Sequence, residues 1–108
     1  MQSVANEFIP HPWKGSETYG GYCNRLEEAV ANITALEEVP EAAIQALAFI
    51  AVEVPGDIDS CSIRPPLRRM KDFFGNQSED TRMAFLTTAL ALPGGNREVA
   101  RIDWILRI

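Results

Sequence analysis

Prolines and glycines divide most of this chain into segments about as long as one helix. The breaks are Pro40, Pro55-Gly56, Pro65-Pro66, Gly75 and Pro93-Gly94-Gly95. Because proline rarely continues a helix interior and glycine commonly follows a helix end, each segment between the breaks can hold one helix. Apolar residues within the segments recur every three or four positions, which is the spacing of one helix face. The sequence therefore predicts an all-α fold of four or five short helices packed as antiparallel hairpins.

The predicted helices start and end close to these breaks. The first covers residues 22–39 and the second 41–54, with Pro40 suited to its first turn. The second segment is apolar nearly all round, which predicts that it is the most buried element. A third, short helix covers 67–74. The fourth begins after Ser78, a residue type that commonly caps helix N-termini, and ends near residue 92.

The fourth helix has a broad apolar surface. Its predicted apolar face consists of Met83, Leu86, Ala89 and Leu90, and Phe85 and Leu92 lie beside that face.

Residues 97–108 fit two patterns. Val99, Ile102 and Ile105 fit a helix capped by Asn96, whereas the apolar residues from Ile102 to Ile108 also alternate with charged ones, as in a strand. We expect the helix. A strand at this position would make the fold α+β.

The first twenty residues are rich in proline, glycine and aromatic residues. Pro10, Pro12 and Gly15 argue against a regular element, and the aromatic side chains argue against a free tail. We expect residues 1–20 to be an irregular leader packed on the domain. Residues 21–108 then form a single helical domain, as a chain of 108 residues allows.

The second and fourth helices align with each other along the chain. The alignment pairs Glu41 with Glu79, Ala51 with Ala89, and Pro55-Gly56 with Pro93-Gly94. Two interpretations remain open. The pair represents two copies of a helical repeat, or any two alanine-rich helices ended by Pro-Gly align this well.

Charge is divided unequally between the two halves of the chain. Residues 1–60 hold ten acidic and two basic side chains, whereas residues 61–108 hold eight basic and five acidic ones, and the net charge is −5. Such a chain either pairs its own charges or faces a charged partner. Four of the eight basic residues in the second half form one run: Arg64, Arg68, Arg69 and Lys71.

This basic run is the strongest local signal of binding. We expect it to contact acidic residues of the same fold or of a second copy, and otherwise an acidic partner protein. We do not expect nucleic acid, because the chain as a whole is acidic. Trp13 and Tyr19 are candidate aromatic anchors. These observations predict a non-enzymatic protein–protein interaction or regulatory module, whose partner is another protein or itself in a homodimer.

Two further binding functions remain open. The acidic residues could imitate the phosphates of a nucleic acid and block a protein that binds one. The residues concerned are Glu27, Glu28, Glu37, Glu38, Glu41, Asp57 and Asp59. A small ligand could instead bind in a pocket between the second and fourth helices.

Candidate catalytic groups are few, so the sequence favours a protein that is not an enzyme. A nucleophile and base could be built from Cys23 or Cys61 with His11, the only histidine. Cys23 falls on an apolar stripe, whereas Cys61 lies near Arg64, and neighbouring positive charge lowers a thiol pKa. One histidine and two distant cysteines do not form a zinc site, and no cofactor motif is present, so we expect neither metal nor cofactor.

The hydropathy pattern predicts no membrane segment. No apolar run approaches the roughly 20 residues of a transmembrane helix, and no basic-then-apolar leader resembles a secretory signal. We therefore expect a cytoplasmic protein.

Overall fold

The computed structural model describes residues 7–54 and 64–107, which fold into five α-helices and contain no strand. The helices are α1 Tyr19–Thr34, α2 Glu41–Glu53, α3 Arg64–Phe74, α4 Glu79–Ala91 and α5 Val99–Leu106, and a 3₁₀ turn, Gly95–Glu98, precedes α5. The all-α prediction is therefore confirmed. The C-terminal segment is helical, so the alternative of a strand is wrong for the part of it that the structure describes.

Several helix ends differ from the predicted ones. The side chain of Thr18 accepts a hydrogen bond of 3.0 Å from the N–H of Gly21, so α1 begins at Tyr19 rather than at residue 22. The same helix ends at Thr34 rather than at residue 39. Helix α3 begins before its two prolines, because a first-turn residue needs no N–H for intrahelical bonding.

The start of α5 also differs from the prediction. Asn96 does not cap the helix, because it lies inside the 3₁₀ turn. Glu98 is the N-cap residue and makes no side-chain capping bond.

The helices form two layers. Helix α3 packs between α1 and α5 in one layer, and α2 packs on α4 in the other. The principal contacts therefore join helices that are two apart along the chain. Contacts between chain neighbours, such as α1 with α2 and α4 with α5, are fewer and connect the layers.

Helices in the same layer run in the same direction. Glu41 and Asp80, at the starts of α2 and α4, line one groove. At the other ends, a Cβ placed on Gly94 would lie 3.8 Å from Cγ1 of Val52. Parallel packing of α2 on α4 agrees with the interpretation that the chain contains two stacked helical units.

Helix α2 contributes more buried residues than any other described helix, as its composition predicts. Its buried residues are Ala43, Ile44, Ala46, Leu47, Ala48, Ile50, Ala51 and Val52. Because four of these are alanines, neighbouring helices can approach it closely. Phe74 of α3 and Phe85 of α4 are fully buried, with ring centroids 4.4 Å apart, and they link the two layers.

The turn between α4 and α5 requires glycine twice. Gly94 has a φ of 87°, in the left-handed region that other residues rarely adopt. A Cβ on Gly95 would lie 2.1 Å from the carbonyl oxygen of Ala89, so only glycine fits against the end of α4. This tight turn brings α5 back along α4 and creates the groove described below.

The leader contacts the first turns of α1. The ring of Trp13 stacks on that of Tyr22 at 5.4 Å, and its Nε1–H donates a hydrogen bond of 2.9 Å to the carbonyl of Glu17. Arg25 donates to both carboxylate oxygens of Glu17, at 2.6 and 2.8 Å, and to the backbone carbonyl of His11. These contacts position the aromatic side chains of the leader. Within residues 7–54 and 64–107, no helix has the length and apolar character needed to cross a membrane.

Candidate functional site

Two residues of the basic run contact other parts of the same fold. The guanidinium of Arg69 donates to one carboxylate oxygen of Glu27, with distances of 2.9 and 3.0 Å from its two nitrogens. Lys71 donates from Nζ to the carbonyl oxygens of Trp104, at 2.9 Å, and Arg107. The Lys71 ammonium also lies 5.1 Å from the centre of the Trp104 ring. Both cations therefore stabilise contacts between layer neighbours, α1 with α3 and α3 with α5.

The remaining residues of the run differ from these two. Arg68 is exposed and makes no ion pair with any described residue. The side chain of Arg64 lies outside the described part of the chain, as does Cys61. The run thus leaves Arg68 and the outer half of Arg69, whose side chain is 48% exposed, open to solvent.

The candidate aromatic anchors form a separate group. Trp13 and Tyr19 are brought together at the start of α1, with ring centroids 5.7 Å apart, and are 45% and 37% exposed. Arg69 and Lys71 instead contact the middle of α1 and the end of α5. The six predicted residues therefore belong to two groups on different elements.

Two further arginines, which were not among the predicted binding residues, bind helix C-termini. Arg82 donates to the carbonyl oxygens of Phe74, at 2.8 Å, and Leu106, at the ends of α3 and α5. Arg101, which is 3% exposed, donates to those of Ala51 and Val54 at the end of α2. Helix C-termini carry unpaired carbonyls and partial negative charge, which a guanidinium satisfies.

A sequence signal for one of these arginines does exist. Arg101 precedes Ile105 by four positions, so it lies on the buried side of α5. A basic side chain on the buried side of a helix needs buried hydrogen-bond acceptors. Together with Lys71, these arginines show that much of the positive charge of the second half serves helix ends inside the fold.

Most of the acidic residues proposed to imitate phosphates make no ion pair that the structure describes. Glu28, Glu37, Glu38 and Glu41 are exposed and form no ion pair with the described residues. Asp57 and Asp59 lie outside the described part of the chain.

The outer side of α4 and α5 holds an apolar groove, which we call the α4–α5 groove. Its volume is about 320 Å³, and its lining is Glu79, Arg82, Met83, Leu86, Leu90, Val99, Ile102, Asp103 and Leu106. Met83, Leu90 and Val99 are 48%, 39% and 50% exposed. These three are the exposed large apolar side chains of α4 and α5, and they surround one depression.

The buried face of α4 differs from the predicted one. Of the predicted apolar face, only Ala89 is buried; Met83 and Leu90 face solvent, and Leu86 is half-buried. Phe85, predicted to lie beside that face, is fully buried. Helix α4 therefore has two apolar stripes, one on the core and one on the groove.

The candidate catalytic groups that the structure describes are the buried thiol of Cys23 and the exposed imidazole of His11. Burial raises the pKa of the Cys23 thiol, so it is protonated near neutral pH. The His11 side chain is exposed in the leader. The Arg25 guanidinium lowers the pKa of the Glu17 carboxyl by hydrogen bonding to it, which is the signature of a structural ion pair. No group of three or more possible metal ligands occurs among residues 7–54 and 64–107.

The groove between α2 and α4 is smaller than the α4–α5 groove. It has a volume of about 240 Å³ at the N-terminal ends of the two helices, where Val39, Ile44 and Ala84 contribute apolar surface. This is the position at which the sequence suggested a small-ligand pocket.

No protein-family model, curated protein or solved structure matches the chain.

Proposed function

We propose that this protein is a non-enzymatic interaction module that binds a protein partner through the α4–α5 groove. The observation that carries the proposal is the exposure of Met83, Leu90 and Val99 around one groove. Contiguous exposed apolar surface on a small domain commonly marks a contact with another macromolecule. Burying three such side chains would contribute favourable free energy to association.

The shape of the groove suits a helical partner. Its two walls are helices α4 and α5, whose apolar residues recur at helical spacing, so a third helix can pack along them. The charged residues at the rim are partly neutralised already. Arg82 binds backbone carbonyls, and Asp103 pairs with Arg107. The groove therefore favours an apolar helix face over a strongly charged ligand.

The predicted basic and aromatic residues are a second, weaker contact in this proposal. Arg68 and Arg69 retain exposed guanidinium surface on α3, and Trp13 and Tyr19 are exposed near the start of α1. Exposed cations steer an acidic partner mainly through association rate, so this contact should weaken with salt. A cytoplasmic location also belongs to the proposal, because the free, buried thiol of Cys23 suits a reducing compartment.

A small-ligand function is the second candidate. The volume of the α4–α5 groove, about 320 Å³, falls at the lower end of the range found for small-molecule sites. Such a ligand would occupy the same apolar surface as the protein partner, so one experiment can separate the two functions.

Photo-crosslinking in the host tests the proposal. A photoreactive phenylalanine analogue at Leu90 samples the groove, and the same analogue at Leu36 is the matched control. Both leucines are 39% exposed, but Leu36 lies near the end of α1. We expect a discrete protein adduct from position 90 and none from position 36. Absence of a protein adduct at position 90 contradicts the proposal, and a small-molecule adduct there supports the second candidate instead.

A further inference from the structure

We propose that the occupant of the α4–α5 groove is α4 of a second copy, in an antiparallel dimer with two-fold symmetry. This inference rests on the proposed function and names its partner. It depends on three observations: the spacing of the exposed stripe on α4, the charges at the two ends of the groove, and the layered packing of the fold.

The exposed stripe of α4 has the spacing of a helix–helix seam. Glu79, Met83, Leu86 and Leu90 line the groove and follow one another at intervals of four, three and four residues. Such alternation keeps side chains along one line of a helix and allows two helices to pack lengthwise. The inner stripe, with Phe85 and Ala89, is already buried in the core. The outer seam is therefore available without unfolding or repacking.

The two ends of the groove carry opposite charges. Glu79 lines one end, and Arg97 lies beyond the other end, two residues before Val99 in the turn that follows α4. Both side chains are exposed, and neither forms an ion pair with any described residue. Glu79 and Arg97 therefore stand at opposite ends of the seam, each without an ion-pair partner among residues 7–54 and 64–107.

Antiparallel pairing satisfies these charges twice. A two-fold axis across the middle of α4 brings Glu79 of each copy toward the partner's Arg97, and the reverse pair forms at the other end. Parallel pairing would instead place like charges together. The antiparallel arrangement also sets opposite helix dipoles side by side. A surface with opposite charges at its two ends is thus complementary to itself, which favours a second copy as the occupant.

The layers of the fold continue across such a dimer. On one side α4 packs on α2, and on the other side it faces the groove. The partner's α4 would lie beside α4 in this layer but antiparallel to it, with Val99 and Leu106 of α5 against its flank. The dimer would join two α2–α4 pairs into one continuous four-helix layer.

Sedimentation equilibrium on the purified full chain tests the inference. We expect the wild type to dimerise, and Leu90→Glu to weaken dimerisation by about 30-fold or more, because it replaces an apolar seam residue with a charge that the interface would bury. Leu36→Glu, with the same 39% exposure outside the groove, should leave the dimer unchanged. Circular dichroism of each variant shows whether the monomer is folded. A wild type that stays monomeric over the full concentration range overturns the inference.

Charge reversal tests the antiparallel arrangement. We expect Glu79→Arg alone and Arg97→Glu alone to weaken the dimer by about fivefold each at low salt, because each places like charges opposite one another. The double variant Glu79→Arg/Arg97→Glu should recover the wild-type constant, since symmetry restores both pairs. Asp80→Arg is the matched control, because this neighbouring acid lines the groove between α2 and α4. Failure of the double variant to recover dimerisation overturns the proposed arrangement.

Failure of the inference is distinguishable from failure of the proposed function. If the purified protein is monomeric while position 90 crosslinks to a different protein in the host, the second copy is wrong as occupant and the interaction module stands. If the protein is monomeric and position 90 gives no protein adduct, both are wrong. A dimer that persists in Leu90→Glu uses another surface, which also overturns the inference.

Discussion

Arg101 in α5 donates a hydrogen bond of 2.8 Å to the carbonyl oxygen of Val54, the residue that caps the C-terminus of α2. The same nitrogen also donates to Ala51 at 2.8 Å. Lys71 binds carbonyls at the end of α5, and Arg82 binds those at the ends of α3 and α5. Cations of α3, α4 and α5 thus satisfy carbonyls at the ends of neighbouring helices, which explains why bases accumulate in the second half of an acidic chain.

Replacing Arg101 with methionine should destabilise the fold strongly. The substitution keeps an unbranched apolar side chain but leaves two buried carbonyl oxygens without this donor, and we expect a loss of about 3 kcal/mol in the free energy of unfolding. Urea unfolding followed by circular dichroism measures the change.

Arg68→Met is the matched control for this substitution. Arg68 is exposed and forms no ion pair with the described residues, so its replacement should change the free energy of unfolding by less than about 0.5 kcal/mol. Equal effects of the two substitutions would show that the hydrogen bonds of Arg101 do not stabilise the end of α2.

The two apolar stripes of α4 should respond differently to truncation. Phe85 is fully buried against Phe74, so Phe85→Ala should reduce the free energy of unfolding by about 3–5 kcal/mol through lost burial and a cavity. Met83 lies only two positions earlier but is 48% exposed, and Met83→Ala should change it by less than about 1 kcal/mol in the monomer. Unfolding curves at a protein concentration that keeps the chain monomeric measure both. A larger effect at Met83 would contradict the assignment of inner and outer stripes.

The sequence was sufficient for the fold class but not for the orientation of α4. Proline and glycine mark helix ends because they act locally, and most predicted helices lie close to the observed ones. The orientation of a helix depends on what packs against it. Apolar residues cover two sides of α4, so periodicity alone could not decide between Phe85 and Met83 as the buried one.

The candidate site was predictable only in part, for a related reason. Arg68 and Trp13 are exposed, so both are accessible for the partner contacts that the sequence suggested. The backbone carbonyls that accept from Lys71 and Arg101, however, lie 33 and 47 or more residues away along the chain. Every residue type has a backbone carbonyl, so the sequence does not indicate which residue accepts such a hydrogen bond. For that reason a charge count treats such cations as available for a partner.

The thiol of Cys23 should be unreactive in the folded protein. Burial both covers the sulfur and raises its pKa, so the thiolate that attacks a disulfide reagent is scarce at neutral pH. In a Cys61→Ser background, we expect Cys23 to react with Ellman's reagent at least about tenfold more slowly when folded than when unfolded in urea. Equal rates would show an accessible, ionised thiol and would restore Cys23 as a candidate nucleophile.

The ion pair between Glu17 and Arg25 should make stability depend on pH in one direction. Hydrogen bonding to Arg25 lowers the pKa of Glu17 in the folded protein below the ordinary value of 4.5. A group whose folded pKa is lowered stabilises the fold above its unfolded pKa and loses that effect as pH falls through the folded value. The difference in Tm between wild type and Glu17→Gln should therefore be present at neutral pH and shrink as acid protonates Glu17 in the folded protein. Glu28→Gln is the control, because Glu28 is exposed on α1 and forms no ion pair with the described residues. A Tm difference for Glu17→Gln that stays constant into acid would mean that the pair does not hold the leader on α1.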